Sequence, residues 1–221
     1  MRALAWEFPN EPQLASVDTQ FMLGPSILVT PVLEPQADTV KGVFPGVIDG
    51  TSWYDWYTGE RVDAKAGVNT TIDAPLGHIP VYIRGGSVLP IQEPGYTTTA
   101  SRANPWGLIV ALDDDGNASG SLYVDDGESI KQEATLDVGF SAKHGKLTVG
   151  VKGAFKDTNA LGNVTVLGVF DGIGHVKLNG KGIEGDKVNY DEDTGVLKLC
   201  ELNELTSGGA WKGDWTLSWG K

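Results

Sequence analysis

Glycine and proline interrupt this chain so often that no long helix can run through it. Thirty Gly and eleven Pro are scattered over 221 residues. In a helix interior Gly costs about 1 kcal/mol and Pro about 3 kcal/mol relative to Ala. Between the breaks lie strand-length runs rich in Val, Ile, Thr and aromatic residues, which read as mainly β. Strands are predicted at residues 26–33, 39–44, 52–57, 69–73, 79–83 and 87–91. After a polar, turn-rich segment at 93–104, more are predicted at 106–113, 121–124, 135–141, 146–151, 164–170, 175–178, 196–200 and 215–219. Asp115-Gly116, His144-Gly145 and Thr194-Gly195 sit between apolar runs, where hairpins need positive φ. Two antiparallel β-sandwiches fit this pattern, divided near residue 96. At the N-terminus, residues 2–8 fit a strand or a short helix equally well. Asp18 is placed to cap a brief helix over 19–23, stopped by Gly24-Pro25.

The charge balance excludes several classes of partner. Seventeen Lys+Arg against 29 Asp+Glu leave a net charge of −12, the wrong sign for nucleic acid or an anionic membrane surface. No apolar run approaches the roughly 20 residues of a membrane-spanning helix. One cysteine, Cys200, leaves no disulfide framework and no clustered thiolate metal site. No cofactor is implied, since no phosphate-cradling glycine pattern precedes a helix.

The chemistry-bearing residues are few. No Ser lies in a Gly-x-Ser-x-Gly elbow to pair with His78, His144 or His175. His78 reads as a hydrogen-bonded structural residue before a strand, and His144 as part of an exposed turn. Asp113-Asp114-Asp115-Gly116-Asn117 resembles a calcium loop only superficially: with Gly116 at the sixth place, Ala111 and Leu122 fall at the first and twelfth, where acids are required. This segment and Asp125-Asp126-Gly127-Glu128 read as solvated turns. The run Trp53-Tyr54-Asp55-Trp56-Tyr57 puts rings on both faces of a strand. Such rings stack on sugars in a binding platform built from Trp53, Tyr54 or Trp56, or else they fill two buried faces. Burial on both sides is the expectation, as is core packing for Trp211, Trp215 and Trp219. Asn69-Thr70-Thr71, Asn117-Ala118-Ser119 and Asn163-Val164-Thr165 make Asn69, Asn117 and Asn163 glycosylation acceptors in a secreted protein. Residues 1–7 contain no signal-peptide core, so an upstream portion is expected.

Longer strings carry a resemblance. Met1-Arg2-Ala3-Leu4-Ala5-Trp6-Glu7-Phe8-Pro9, Asp18-Thr19-Gln20-Phe21-Met22-Leu23-Gly24-Pro25, Trp53-Tyr54-Asp55-Trp56-Tyr57-Thr58-Gly59 and Ala74-Pro75-Leu76-Gly77-His78-Ile79-Pro80-Val81-Tyr82-Ile83-Arg84-Gly85-Gly86 resemble the end of the catalytic barrel and the region after it in glycoside hydrolase family 31. The similarity extends through Gln92-Glu93-Pro94, Ala111-Leu112-Asp113 and Tyr123-Val124-Asp125-Asp126-Gly127-Glu128-Ser129, and is strongest toward fungal α-glucosidases. It rests on specific motifs up to about residue 130. Where the family places an Asp before its His, this chain has Gly77.

The resemblance implies a division into a barrel remnant (residues 1–25, with 2–8 as the last strand of a (β/α)₈ barrel), a proximal sandwich (26–96) and a distal sandwich (97–221). It implies the non-catalytic C-terminal portion of a secreted, retaining α-glucosidase that removes terminal α-linked glucose. The two catalytic carboxylates would lie upstream, leaving none in this chain. Glu7 becomes a candidate for the rim of the active site, because barrel sites form at the C-terminal ends of the strands. The implied partners are the upstream barrel and, through it, an α-glucan or malto-oligosaccharide substrate. An autonomous carbohydrate-binding sandwich is the alternative. Cut off from a barrel, residues 1–25 should expose their apolar side chains.

Overall fold

A computed structural model describes residues 1–206 and 208–220. They form two compact units that divide between Gly85 and Gly86. The first contains α1 (Leu4–Glu7), a 3₁₀ turn at Pro12–Ser16, β1 (Phe21–Leu23), β2 (Ile27–Val29), β3 (Thr39–Gly42), a 3₁₀ turn at Val47–Asp49, β4 (Trp53–Asp55), β5 (Thr70–Asp73) and β6 (Val81–Arg84). The strands build an antiparallel sheet in the order β1-β2-β6-β4 and a separate antiparallel pair, β3-β5. One apolar core draws on both: Met22, Leu28, Trp53 and Tyr82 from the larger sheet meet Ile72 from the pair, with Phe44 between strands. Phe44 packs edge-on against Tyr82 at 4.8 Å between ring centroids.

Residues 2–8 are not a strand. Arg2 alone forms a bridge, to Met22, and the chain then coils into α1, where the Phe8 N–H returns to the Leu4 carbonyl at 3.0 Å. A strand needs a neighbour's ladder along its whole length, and here the backbone satisfies itself locally instead. Leu4, Phe8, Leu14 and Met22 are buried in the core of the first unit. The expectation that residues 1–25 expose their apolar groups therefore fails for these four and holds for Trp6, which is 77% exposed. Nor does a helix form at 19–23. Gly24 turns the chain at φ 62° so that β1 and β2 pair. The Gln20 amide is drawn into the core, accepting from the Val43 N–H at 2.8 Å and donating to the Thr30 hydroxyl at 2.9 Å.

The second unit comprises β7 (Ser87–Gln92), α2 (Thr98–Arg102), β8 (Trp106–Ala111), β9 (Ala118–Val124), β10 (Leu136–Lys143), β11 (Lys146–Gly153), β12 (Leu161–Leu167), β13 (Lys177–Leu178), β14 (Lys181–Gly182), β15 (Val188–Asp191), β16 (Val196–Leu199) and β17 (Trp215–Ser218). All eleven strands are hydrogen-bonded in one sequence, β14-β13-β17-β11-β10-β9-β7-β8-β12-β16-β15, around a single core. The alternation that marks a half-buried strand is complete in β10, where Leu136, Val138, Phe140 and Ala142 point inward. The tight β10–β11 turn carries His144 at φ 49° and Gly145 at φ 69°, the two positive values a type I′ hairpin requires.

Not every pairing is antiparallel. β8 runs parallel to β12, and β7 meets β9 in a parallel bridge at Ser87–Ser119. The long excursion through β9, β10 and β11 supplies the crossover that a parallel pair needs. The division also falls earlier than residue 96, because β7 pairs along its length with β8, from Ser87–Ala111 to Gln92–Trp106. The polar segment after it holds α2, capped by the Thr97 hydroxyl accepting from the Ala100 N–H at 3.1 Å.

Candidate functional site

Glu7 ends α1 half-buried, with its carboxylate engaged by the Arg2 guanidinium. Arg84, on β6, lies over the Phe8 ring at 4.5 Å from its centroid. Burial lowers the Arg84 pKa from its ordinary value, while the Glu7 carboxylate pushes it back up. Glu7 is thus one acid between two cations. Glycoside hydrolysis requires two carboxyl groups set about 5–5.5 Å apart in retaining enzymes or about 6.5–9.5 Å apart in inverting ones. Glu11, the nearest acid in sequence, does not serve as a second: it is buried, its Oε1 accepting from the Gly46 N–H and its Oε2 from the Gln13 amide at 3.0 Å. Glu11 clamps a turn.

The acidic turns spend their oxygens on their own backbones. Asp113 Oδ1 accepts from the N–H groups of Asp115 at 3.0 Å and Asn117 at 2.7 Å. Asp126 Oδ1 accepts from Glu128 and Ser129, and its Oδ2 from the Ser129 hydroxyl. These bonds to the charged form hold the Asp126 pKa down at about 2. Among the described residues, no three His, Cys, Asp or Glu side chains cluster to hold a metal ion.

In the aromatic run, Trp53 and Tyr54 are buried, and the Trp53 indole donates to the Pro45 carbonyl at 2.8 Å. Two of the three rings proposed for a sugar platform are therefore inaccessible. Tyr57 is 54% exposed; its hydroxyl donates to the Ile79 carbonyl at 2.9 Å, and its ring lies 4.5 Å from that of His78. His78 is a packed side chain beside a turn. Asn69 and Asn163 are exposed, and Asn117 is half-buried. Trp211, Trp215 and Trp219 are buried, with Trp211 and Trp215 stacked at 6.3 Å and 15°.

The motif for "Glycosyl hydrolase family 31 C-terminal domain" matches residues 1–89. An Alpha-glucosidase of Aspergillus niger is 57% identical over 219 residues, which is 99% of this chain and 22% of that protein. Residues 1–89 belong to the glycosyl hydrolase family 31 C-terminal domain. A Glucoamylase 1 of Schwanniomyces occidentalis is 49% identical, again over 99% of this chain and 22% of the relative. The chain thus spans about a fifth of the length of the curated relatives it matches, and corresponds to their C-terminal portion. Its fold is that of the corresponding part of a glucosidase II alpha subunit, with a TM-score of 0.79 at 24% identity, over 99% of this chain and 25% of that one. No described helix is long and apolar enough to cross a membrane.

The buried polar clamps of this family 31 domain, Glu11 and Gln20, carried no signal in the sequence. Both sit in polar stretches that read as surface loops, and their partners lie 35 and 23 residues away.

Proposed function

We propose that this chain is the non-catalytic C-terminal portion of a secreted, retaining α-glucosidase acting on terminal α-linked glucose, and that it packs on and stabilises the enzyme's upstream barrel. The observation that carries this reading is the 57% identity across 99% of the chain to a protein named Alpha-glucosidase. The state of Glu7 supports it: a lone carboxylate held by Arg2 provides neither the nucleophile nor the acid of a retaining mechanism. Residues 1–25 are the part that would adjoin the barrel. Leu4 and Phe8 anchor them to the first unit, while Trp6 faces outward and is available to an adjoining domain. In the assembled enzyme Glu7 then stands near the rim of the site. Exposure of Asn69 and Asn163 suits glycosylation in a secretory pathway, with Asn117 the least accessible of the three.

The test is hydrolysis of an aryl α-glucoside. The purified chain alone should give no turnover, and adding the upstream fragment should restore it. Turnover by the chain alone would overturn the proposal.

A further inference from the structure

The second unit holds a cleft of about 400 Å³, within the range of roughly 300–1,000 Å³ typical of small-molecule sites. Trp106, Tyr123 and Phe155 bring three aromatic rings to its wall, and Arg102, Asp125 and Asp157 add polar groups. Tyr123, Val124 and Asp125 of its lining fall in one of the strings that carry the family resemblance, but only the fold brings them to Trp106, Phe155 and Asp157.

The cleft is built rather than incidental. The Trp106 indole donates to Asp157 Oδ2 at 2.7 Å, and the Trp211 ring supports Trp106 from the core side at 5.7 Å. Asp157 Oδ1 in turn accepts from the Asn159 N–H at 2.8 Å. The Asn159 amide donates to the Arg102 carbonyl at 2.6 Å, and the Arg102 guanidinium donates to the Asp125 carbonyl at 2.6 Å. A Cβ at position 127 would fall 1.6 Å from Arg102 Nη1, so the guanidinium lies against bare backbone that only glycine leaves open. These bonds tie together the ends of α2 and β9 and the segment before β12. Tyr123 projects from the outward face of β9 and is 55% exposed.

The chemistry selects the ligand. Arg102 and Lys156 balance Asp125 and Asp157 along the lining, so the cleft favours no net charge despite the acidity of the whole chain. Rings offering an apolar face, next to fixed planar donors and acceptors, match a molecule with apolar faces and a hydroxyl rim. We propose that this cleft binds a short neutral oligosaccharide, with one pyranose ring stacked on Tyr123 and its hydroxyls bonded to Asp125 and Arg102. The existence of the site does not depend on the glycosidase reading; only the choice of an α-linked glucose oligomer as first probe rests on it.

The test is amide chemical-shift titration of the 221-residue chain with maltotriose, and in parallel with cellotriose and mannotriose. Saturable shifts are expected at residues 123–125 and 155–159 with a roughly millimolar dissociation constant. Tyr123→Ala should weaken binding by about tenfold or more without altering the spectrum elsewhere. Tyr96→Ala, which removes an exposed ring of the same unit outside the cleft, should leave binding unchanged. Absence of saturation with all three sugars, shifts that map elsewhere, or binding that survives Tyr123→Ala would each overturn the proposal. Because the readout is binding, a failure here leaves the hydrolysis test above untouched, and the reverse also holds.

Discussion

Gly46 and Gly50 flank the same 3₁₀ turn, Val47–Asp49, and both have left-handed backbones, with φ of 75° and 84°. They differ in what a side chain would meet. At Gly50 nothing lies within 4 Å of an added Cβ, whereas at Gly46 it would fall 2.3 Å from Thr51 Oγ1 and 2.6 Å from Phe8 Cε1. Gly50→Ala should therefore cost only the conformational penalty, about 1–2 kcal/mol. Gly46→Ala adds displacement of packed neighbours, about 1–3 kcal/mol, for a total of roughly 2–5 kcal/mol. Phe8 carries the Arg84 contact, and the Gly46 N–H carries the Glu11 clamp, so the strain spreads into the first unit's core. Amide hydrogen exchange in β2 and β6 isolates the stability of that unit from the other. If Gly46→Ala lowers protection no more than Gly50→Ala does, the close approach of Phe8 and Thr51 is not a packing constraint and the reasoning fails.

Two further outcomes are expected. The folded form holds Asp126 at about 2, below its ordinary 3.8, so its ionised state favours the native turn. That contribution is complete above pH 3.8 and is lost as the pH falls through about 2; the Glu128 and Ser129 amide shifts should titrate with that low midpoint, and a midpoint near 3.8 would contradict it. In the second unit, Trp211 lies 5.6 Å from Phe140 and 5.7 Å from Trp106, so Trp211→Ala should cost about 3–5 kcal/mol in urea unfolding. Trp211→Phe should cost much less, because the buried Trp211 indole nitrogen has no hydrogen-bond partner among the described residues and the substitution removes that unsatisfied donor. Equal losses would show that the ring contacts are not what stabilises this cluster.

Strand positions were legible wherever the pattern is local. The alternation in β10 and β11, and the His144-Gly145 turn between them, follow from side chains pointing alternately to wet and dry faces and from the need for positive φ. Burial of Trp53 and Tyr54 followed from having rings on both faces of one short strand. Misreadings fell where local signals compete. Residues 2–8 fit helix or strand equally by periodicity and residues 19–23 read as a short capped helix, and the outcome was decided by which backbone groups found partners: Arg2 with Met22, and β1 with β2. The Trp106 cleft was illegible because Arg102, Tyr123 and Asp157 are far apart in sequence and meet only through the sheet.

What the sequence alone determined is the β character of the chain, its turns and the family it resembles, since each depends on residue type and near-neighbour spacing. Tertiary structure alone decided that β8 lies parallel to β12, that β7 joins the second unit, and that Glu7 is paired with Arg2. Those outcomes depend on hydrogen bonds and charges whose partners are chosen in space, where separation along the chain carries little information.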